Sequence, residues 1–484
     1  MPEKAGIGLP SGMALGQCRR PAALESLTMA RDATDATPIE SRDQLVEFVA
    51  SGSKPASEWR VGTEHEKFGF YLKDFAPVPY EGPRGIKRLL EAMEGLLGWH
   101  PIMDKDAIIG LTDPTGLGAI SLEPGGQFEL SGAPLETIHQ TCREVNGHLA
   151  QVRECATPLG IGFLGLGASP KWTRAETPVM PKSRYAIMSR YMPKVGNLGL
   201  DMMYRTCTIQ ANLDFSSEAD MVRKLRVGVA LQPIVTALFA NSPFLEGKPN
   251  GYLSWRSAVW LDTDNDRTGM MPFAFEAGFG FERYVDWALD VPMYFVKRGE
   301  TYHDVAGASF RDLMAGRLAA LPGEYATLSD WKNHLSTTFP EVRLKNYLEM
   351  RGADGGPGNR ICALPALWVG LLYDGVALDA CWEIVKDWTE AERQALRVAV
   401  PKSALKTPFR GGTVLDIARQ IVALAKDGLA RRKHVNESGR DETLFLRSLE
   451  EIVASGETEA ERLLREYKTD WQGDIDEVFR RHGY

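Results

Sequence analysis

The sequence contains no run of about 20 apolar residues, the length a membrane-crossing helix needs, although 44% of its 484 residues are hydrophobic. We therefore expect no membrane partner. Positive charge is not in excess either, because 56 Lys and Arg are outnumbered by 64 Asp and Glu and the net charge is −8. That balance gives no broad attraction for nucleic acid, and we expect no nucleic-acid partner.

Closely spaced cysteines are also missing. The six cysteines form no C-x-x-C pair and follow no short regular spacing, which excludes the usual zinc sites and a disulfide scaffold. Sparse cysteines of this kind are typical of a reducing compartment. We therefore expect a cytoplasmic location, with one cysteine pair at most left for redox chemistry.

Sustained periodicity is missing from residues 1–38, which are rich in Gly, Pro, Ala, Thr and Asp. We expect a disordered N-terminal extension there, without the apolar stretch of a secretory signal. Its acidic residues Glu3, Glu25 and Asp32 argue against an organelle transit peptide. Residues 39–484 show no repeat and no clean linker, so we predict a single domain over this range.

The run Arg60–Phe70 places two acidic side chains together. If it is a strand, alternation puts Glu64 and Glu66 on the same face. Two close carboxylates repel each other unless a cation lies between them. Separate salt bridges would satisfy them, and so would Mg²⁺, which prefers oxygen ligands such as carboxylates. The run alone leaves both interpretations open.

The run Ser121–Ser131 adds polar residues around a break. Gln127 and Glu129 share a strand face, and Pro-Gly-Gly at positions 124–126 interrupts the ladder after Glu123. A hairpin would explain the break. It would not explain why two glutamates and a glutamine gather beside it.

The clearest two-sided strand covers Met202–Asp214. Thr208, Gln210 and Asn212 line one face, while apolar residues line the other. Antiparallel sheets often turn a polar face to solvent, which is the simpler interpretation. A ligand-binding surface is the alternative.

The run Tyr347–Asp354 alternates in the same way. Glu349 and Arg351 fall on one strand face, and Leu348 and Met350 fall on the other. A carboxylate beside a guanidinium can hold a metal next to a bound phosphate. A surface ion pair on an edge strand is the other interpretation.

The C-terminal region is predicted to be mainly helical from about residue 364, because apolar residues recur there at three-to-four spacing. Together with the strands, this predicts one α+β domain with a mostly antiparallel sheet and helices packed around it. If the four strands are neighbours, their polar face gathers carboxylates that need cations. Two or more Mg²⁺ ions bound to ATP phosphates would meet that need, which favours phosphoryl transfer.

Four runs resemble those of the plant-type glutamate–cysteine ligases, a family of plants and proteobacteria. They are Gly62–Phe70, Ser121–Ser131, Asp201–Thr208 and Tyr347–Asp354, and the resemblance covers about residues 42–484. It implies an ATP-dependent ligase whose sheet forms a funnel like that of glutamine synthetase. The γ-carboxylate of glutamate would become a γ-glutamyl phosphate and then react with the amino group of cysteine. The products would be γ-glutamylcysteine, ADP and phosphate, in the first step of glutathione biosynthesis.

The resemblance also implies residue roles. The expected Mg²⁺ ligands are Glu64, Glu66, Glu123, Glu129 and Glu349. The expected catalytic residues are Glu349 and Arg351, of which Arg351 would stabilise the charge of the transferring phosphoryl group. The expected substrate contacts are Arg256, which would hold the glutamate α-carboxylate, Tyr294, Gln210 and Asn212. The expected nucleotide contacts are Arg343, Lys345 and Arg351. A monomer or a homodimer is expected.

Plant members of this family resemble one another in a redox switch of two disulfides. One pair matches Cys142 and Cys362, whereas the positions of the other hold Val305 and Ala320. The resemblance therefore implies one possible redox pair. Each of the two cysteines could equally be a small buried hydrophobe.

Three other functions compete with this one. A related ligase could use another amine in place of cysteine, and a metal-dependent hydrolase could use the same carboxylates. A silent binding protein on this fold is the third alternative. The full acidic set together with Arg351 argues against it.

Overall fold

The fold is described by a computed structural model over residues 35–484. Its strands are β1 (Val61–Tyr71), β2 (His100–Asp104), β3 (Ala107–Thr112), β4 (Ala119–Leu122), β5 (Phe128–Ser131), β6 (Ile161–Leu164), β7 (Thr208–Leu213), β8 (Phe244–Leu245), β9 (Lys248–Pro249), β10 (Thr268–Gly269), β11 (Phe295–Arg298), β12 (Thr301–Asp304), β13 (Phe339–Pro340), β14 (Val342–Leu344), β15 (Leu348–Asp354), β16 (Pro408–Phe409) and β17 (Gly412–Thr413).

The helices surround the strands and dominate the C-terminal part. They are α1 (Arg42–Ala50), α2 (Ile86–Leu97), α3 (Ile138–Ala156), α4 (Ser183–Val195), α5 (Gly199–Arg205), α6 (Glu218–Leu238), α7 (Trp255–Val259), α8 (Phe281–Asp290), α9 (Phe310–Met314), α10 (Leu328–Ser336), α11 (Gly358–Leu372), α12 (Gly375–Val385), α13 (Glu390–Ser403), α14 (Val414–Arg432), α15 (Arg447–Ser455), α16 (Glu459–Thr469) and α17 (Asp476–His482). The predicted α+β class and helical C-terminal region are confirmed.

One nine-stranded sheet carries the fold, in the order β14-β15-β7-β1-β5-β4-β3-β2, with β6 paired to the end of β1. Every pairing in it is antiparallel. The four strands with polar faces, β15, β7, β1 and β5, are consecutive neighbours. Their side chains therefore meet on one surface, as the alternation predicted.

The opposite face of these strands is apolar and supports the main core. Ile209, Ala211 and Leu213 of β7 are fully buried there, as is Leu348 of β15. They pack in one cluster with residues of α6 and α11. Each fully buried Ile or Leu contributes about 1.5–3 kcal/mol through burial of apolar surface, so this face fixes the register of the polar one.

A bulge in β15 lies at Arg351. Met350 pairs with Ala211 but Ala353 pairs with Ile209, so one extra residue is accommodated between them. Gly352 is needed there, because a Cβ would lie 2.1 Å from the Gln232 Nε2 atom of α6. Bulges commonly re-aim a neighbouring side chain beside a functional site.

The strand predicted from Met202 begins only at Thr208. The preceding residues form α5, in which Arg205 Nε donates to Asp201 Oδ1 at 2.8 Å. This i,i+4 ion pair stabilises a helical turn that simple alternation does not detect. The prediction of a strand over 202–207 is therefore wrong.

Cys142 of α3 and Cys362 of α11 form a disulfide, with 5.5 Å between their Cα atoms. The bond joins two helices behind the sheet and links positions 220 residues apart. Among the described residues, Cys155, Cys207 and Cys381 are free and buried.

Residues 1–34 of the predicted disordered extension lie outside the described residues. The last four positions, 35–38, differ from that prediction, because they lie against α10. The carbonyl of Asp35 accepts from Ser329 N at 2.9 Å, and its carboxylate lies 3.1 Å from Lys332 Nζ. Pro38 forms a bridge with Thr327.

No single helix within residues 35–484 is long and apolar enough to cross a membrane. Only α11 and α12 together reach the required length and composition, and they are bent by 88° at their junction.

Candidate active site

A cavity of about 120 Å³ opens on the polar face of the sheet. Six of the residues predicted from the sequence line it: Glu66, Glu123, Glu129, Gln210, Arg256 and Arg351. They come from β1, β5, β7, β15, α7 and the loop between β4 and β5. Residues distant in the sequence are thus brought to one place by the antiparallel order of the strands.

Three glutamates form an acidic group on one side of the cavity. Glu66 and Glu129 are paired across β1 and β5, and Glu123 stands at the turn before β5. Each has one oxygen held by a protein donor. Thr208 N donates to Glu66 at 3.0 Å, and Ser121 Oγ donates to Glu129 at 2.7 Å.

Two members of the acidic group, Glu66 and Glu129, hold their protons unusually tightly. Burial raises the pKa of Glu66 well above its usual value, and the charges of Glu129 and Glu123 add to this effect. Burial, with Glu123 and Glu64 nearby, raises the pKa of Glu129 to about 8. Like charges in a protein interior cannot all ionise without compensation. A bound cation would provide that compensation.

The acidic group fits a hard cation that also binds substrate oxygens. Within residues 35–484, the second oxygen of Glu66, Glu123 and Glu129 makes no hydrogen bond. Over the same range, no three acidic, histidine or cysteine side chains stand close enough to form a complete metal site by themselves. Mg²⁺ commonly takes one or two carboxylates and completes its shell with phosphate and water, so the residues present suit such an ion.

The other two predicted ligands, Glu64 and Glu349, already accept hydrogen bonds from protein groups at both carboxylate oxygens. Glu64 accepts from Asn212 Nδ2 at 2.7 Å and from Gln210 Nε2 at 3.1 Å. Burial, together with the charge of Glu349, raises its pKa. The predicted set of five glutamates therefore divides into three with an open oxygen and two whose oxygens are bonded to protein donors.

Glu349 lies in a buried cluster of positive charge. Its two oxygens accept from Arg343 Nη2 at 2.7 and 2.8 Å. Arg351 also donates to it, and Lys345 Nζ lies 3.7 Å away. Burial opposes ionisation of Glu349, but the three cations outweigh it and lower its pKa far below the usual range. Glu349 would have to give up a guanidinium contact to bind a metal, and its role as a Mg²⁺ ligand stays a prediction.

Arg351 connects this cluster to the cavity. Its Nη1 atom donates to Gln210 Oε1 at 2.6 Å as well as to Glu349. Its carbonyl accepts from Arg256 Nη2 at 3.0 Å. Asn212, by contrast, contacts Glu64 and lies outside the residues that line the cavity. The two arginines therefore stand side by side at the cavity wall.

Arg343 and Lys345 lie outside the cavity lining, on and just after the edge strand β14. Arg343 is fully buried, and its guanidinium also donates to Ser336 O and Thr338 O. Lys345 Nζ donates to Tyr347 Oη at 3.2 Å, and burial beside Arg343 lowers its pKa to about 7. Both cations form ion pairs with Glu349. Their contact with nucleotide stays a prediction.

Tyr294 was predicted to line the amino-acid pocket, but it is not among the residues that line this cavity. It is 1% exposed, its hydroxyl donates to Asp264 Oδ2 at 3.2 Å, and the Arg267 guanidinium lies 3.8 Å from its ring centre. Arg267 also donates to Thr337 O at 3.1 Å, and Thr337 does line the cavity. Tyr294 is therefore linked to the cavity wall only indirectly, through Arg267 and Thr337.

The sequence predictions missed one wall of the cavity completely. Arg184, Tyr185 and Met188 reach it from α4, and Trp260, Thr337 and Phe339 reach it from loops and short elements beyond. The run Ser183–Val195 does carry a signal, since positions 184, 185 and 188 share one face of a helix.

Buried carboxylates and guanidinium groups that face one cavity define an enzyme site for small charged molecules. The family described as glutamate–cysteine ligase family 2 matches residues 60–481. The chain belongs to this family of ligases, which confirms the resemblance of its motifs.

Two relatives with more than half of their aligned residues identical agree with this assignment. A chloroplastic glutamate–cysteine ligase of Nicotiana tabacum is 59% identical over 448 residues, covering 93% of this chain and 84% of the relative. The chloroplastic glutamate–cysteine ligase B of Oryza sativa is 57% identical over 449 residues, covering 93% and 88%. A crystal structure of glutamate–cysteine ligase from Francisella tularensis in complex with AMP superposes with a TM-score of 0.49 at 12% identity, covering 88% of this chain and 89% of that one.

The predicted cytoplasmic location is contradicted by these relatives, which are chloroplastic proteins, and the prediction is wrong on this comparison. Sparse cysteines indicate only a reducing environment. They do not distinguish the cytoplasm from another reducing compartment.

Proposed function

We propose that this protein joins the γ-carboxylate of glutamate to the amino group of cysteine at the expense of ATP, in the first step of glutathione biosynthesis. One observation carries the proposal: three glutamates with open oxygens share a cavity with Arg351 and Arg256. The activity named for relatives at 57–59% identity supports it.

In the first step, an oxygen of the glutamate γ-carboxylate attacks the γ-phosphorus of ATP and ADP leaves. In the second, the cysteine nitrogen attacks the acyl carbon, phosphate leaves, and the nitrogen loses a proton. Arg351 would stabilise the transferring phosphoryl group, because its guanidinium stands at the cavity wall. Arg256 would hold the glutamate α-carboxylate through paired hydrogen bonds. The small cavity would shield the acyl phosphate from water.

Mg²⁺ belongs to this proposal. Glu66, Glu123 and Glu129 would each offer an open oxygen to Mg²⁺, with one or two of them binding any one ion. A bound cation would also relieve the repulsion that raises the pKa of Glu66 and Glu129. When bound, Mg²⁺ neutralises phosphate charge and so assists transfer. Glu64 and Gln210 would orient the surrounding groups rather than bind the ion directly.

ADP formation by the purified protein is expected to need Mg²⁺, ATP and both amino acids, with γ-glutamylcysteine as the product seen by mass spectrometry. Glutamate and ATP with hydroxylamine in place of cysteine should give the γ-glutamyl hydroxamate, because hydroxylamine traps an acyl phosphate. A Glu129→Gln variant prepared in parallel is the control for contaminating ATPases, since it should lose the activity.

The same assay separates the alternatives. ADP release without any amino acid would show a hydrolase and refute the ligase proposal. Release with glutamate that requires an amine other than cysteine would retain the phosphoryl-transfer chemistry but reject the proposed substrate.

Mg²⁺ is expected to raise the thermal midpoint of the protein more at about pH 8 than at about pH 5. The pKa of Glu129 is raised to about 8, and that of Glu66 is raised too, whereas an unfolded glutamate titrates near about 4.3. The metal-free folded state therefore binds more protons than the unfolded state between these values and loses stability as the pH rises. Bound Mg²⁺ replaces those protons.

Thermal denaturation in EDTA and in Mg²⁺ across this pH range measures the effect. The Glu129→Gln variant should show a much flatter difference. A gap between the EDTA and Mg²⁺ curves that does not depend on pH would contradict the predicted ligand group.

A further inference from the structure

Tyr185 contacts one of the three glutamates of the acidic group. It lies in the first turn of α4, is 3% exposed, and donates its hydroxyl to Glu123 Oε1 at 2.9 Å. Its oxygen also lies 3.2 Å from Leu122 O. A tyrosine hydroxyl has a single proton to give, so its direction depends on its other neighbours.

The direction of the Tyr185 hydroxyl proton follows from the hydrogen bonds of Lys182. Its ammonium donates to Tyr185 Oη at 3.1 Å and to Leu122 O at 3.0 Å. The carbonyl of Leu122 is thereby supplied with a donor, and the tyrosine oxygen is used as an acceptor. The hydroxyl proton of Tyr185 is left for the carboxylate of Glu123, to which a hydrogen bond is charge-assisted and stronger.

Glu123 needs such a partner more than the other two glutamates do. Glu66 and Glu129 stand on central strands and are held by Thr208 and Ser121 of neighbouring strands. Glu123 lies outside both strands, at the start of the turn that joins β4 to β5. Within residues 35–484, Tyr185 is the one group that donates a hydrogen bond to its carboxylate.

The helix that carries Tyr185 is itself anchored. Ser183 donates through its backbone N and its Oγ to the Asp104 carboxylate of β2, at 2.6 and 2.8 Å. The first turn of α4 is thus fixed to the far edge of the same sheet. A phenol on that turn has a defined place relative to the turn that carries Glu123.

We propose that Tyr185 is a positioning residue that holds the Glu123 carboxylate toward the cavity, so that α4 completes the cation-binding group built on the sheet. This inference rests on the proposed function, in which Glu123 is a Mg²⁺ ligand. Partners that orient metal ligands typically contribute a factor of about 10–100 to metal affinity.

Tyr185→Phe is expected to weaken Mn²⁺ binding about 10-fold, measured without turnover by the electron paramagnetic resonance signal of free Mn²⁺. The Mg²⁺ concentration for half-maximal ADP formation should rise by a similar factor. Tyr204→Phe is the matched control, because the Tyr204 hydroxyl forms a hydrogen bond with Ser189 Oγ of α4 at 2.6 Å and, within residues 35–484, makes no hydrogen bond to a carboxylate. It should bind Mn²⁺ like the unmodified protein.

A double variant separates positioning from general disturbance. If Tyr185 acts through Glu123, adding Tyr185→Phe to Glu123→Gln should weaken Mn²⁺ binding no further than Glu123→Gln alone. Additive losses, an unchanged affinity in Tyr185→Phe, or an equal loss in Tyr204→Phe would each overturn the inference.

Failure of the inference and failure of the proposed function give different results. If Glu123→Gln weakens Mn²⁺ binding but Tyr185→Phe does not, only the role of Tyr185 is refuted. If Glu123→Gln leaves Mn²⁺ binding unchanged, the metal assignment and the inference fail together. Whether ADP formation requires both amino acids is decided separately by the substrate assay.

Discussion

Replacement of Glu349 by glutamine is expected to lower the free energy of unfolding by about 3–5 kcal/mol and to abolish ligation. Glu349 and Arg343 form an ion pair in which both side chains are 0% exposed. Arg351 and Lys345 approach the same carboxylate. Glutamine keeps the shape but removes the negative charge that these three cations contact. Loss of one partner of a buried pair costs far more than the pair contributes.

Chemical denaturation followed by circular dichroism measures this change. Glu450→Gln is the matched control, because its pair with Lys426 at 2.6 Å lies at the surface with 37% of Glu450 exposed. The control should change stability by no more than about 0.5 kcal/mol. A Glu349→Gln protein as stable as the control would show that the cations around this residue are neutralised in another way.

The stability that Glu349 contributes is expected to depend on pH. The surrounding cations lower the folded-state pKa of Glu349. Its stabilising effect is therefore complete above the ordinary glutamate pKa of about 4.3 and disappears only as the pH falls through the lower folded-state value. The contribution of the Glu349 carboxylate to the stability difference between the unmodified protein and Glu349→Gln should therefore shrink only in strong acid. Lys345 adds a separate pH dependence near neutrality, because its pKa is about 7 beside this carboxylate.

Alternation was enough to find the polar face of the sheet. The period of two in a strand is a local property, and it correctly grouped Glu64 with Glu66 and Glu349 with Arg351. The order β15-β7-β1-β5 then brought those faces together. The strand prediction failed at 202–207, where the Asp201–Arg205 pair favours a helical turn.

Alternation could not show which carboxylates are hydrogen-bonded by protein donors and which keep an open oxygen. Arg343 reaches Glu349 because β14 pairs with β15 in one register, with the two residues opposite each other. That register depends on packing between distant parts of the chain. For the same reason the sequence could not separate the open group, Glu66, Glu123 and Glu129, from the occupied residues.

The wall formed by α4 was missed because a shared helix face does not show what that face packs against. Tyr185 lines the cavity and Tyr294 lies behind it. Both are buried aromatic residues with polar neighbours in the fold, and the local sequence around each shows only what flanks it, not which of the two faces the cavity. Their difference is set by the Asp264–Arg267 pair, which draws the Tyr294 hydroxyl away from the cavity.

Arg351→Lys is expected to lower kcat by about 100- to 1000-fold, as for other groups that stabilise developing charge. Arg351 donates to Gln210 and to Glu349 while its guanidinium remains at the cavity wall. A planar guanidinium can serve several acceptors at once. The ammonium of lysine is a compact point charge on a flexible stem and cannot reproduce that geometry. Because lysine keeps the positive charge beside Glu349, stability should change far less than in Glu349→Gln.

Steady-state rates at saturating substrates and Mg²⁺ measure the effect, with Arg431→Lys as the control. Arg431 makes two hydrogen bonds to Asp374, at 3.0 and 2.8 Å, but it lies at the surface, away from the cavity. A large loss of kcat in Arg351→Lys with near-normal folding would separate the chemical role of this arginine from the structural role of Glu349. A near-normal kcat would instead mean that Arg351, placed by the bulge in β15, contacts only its protein partners. Another cation would then have to stabilise the transferring phosphoryl group.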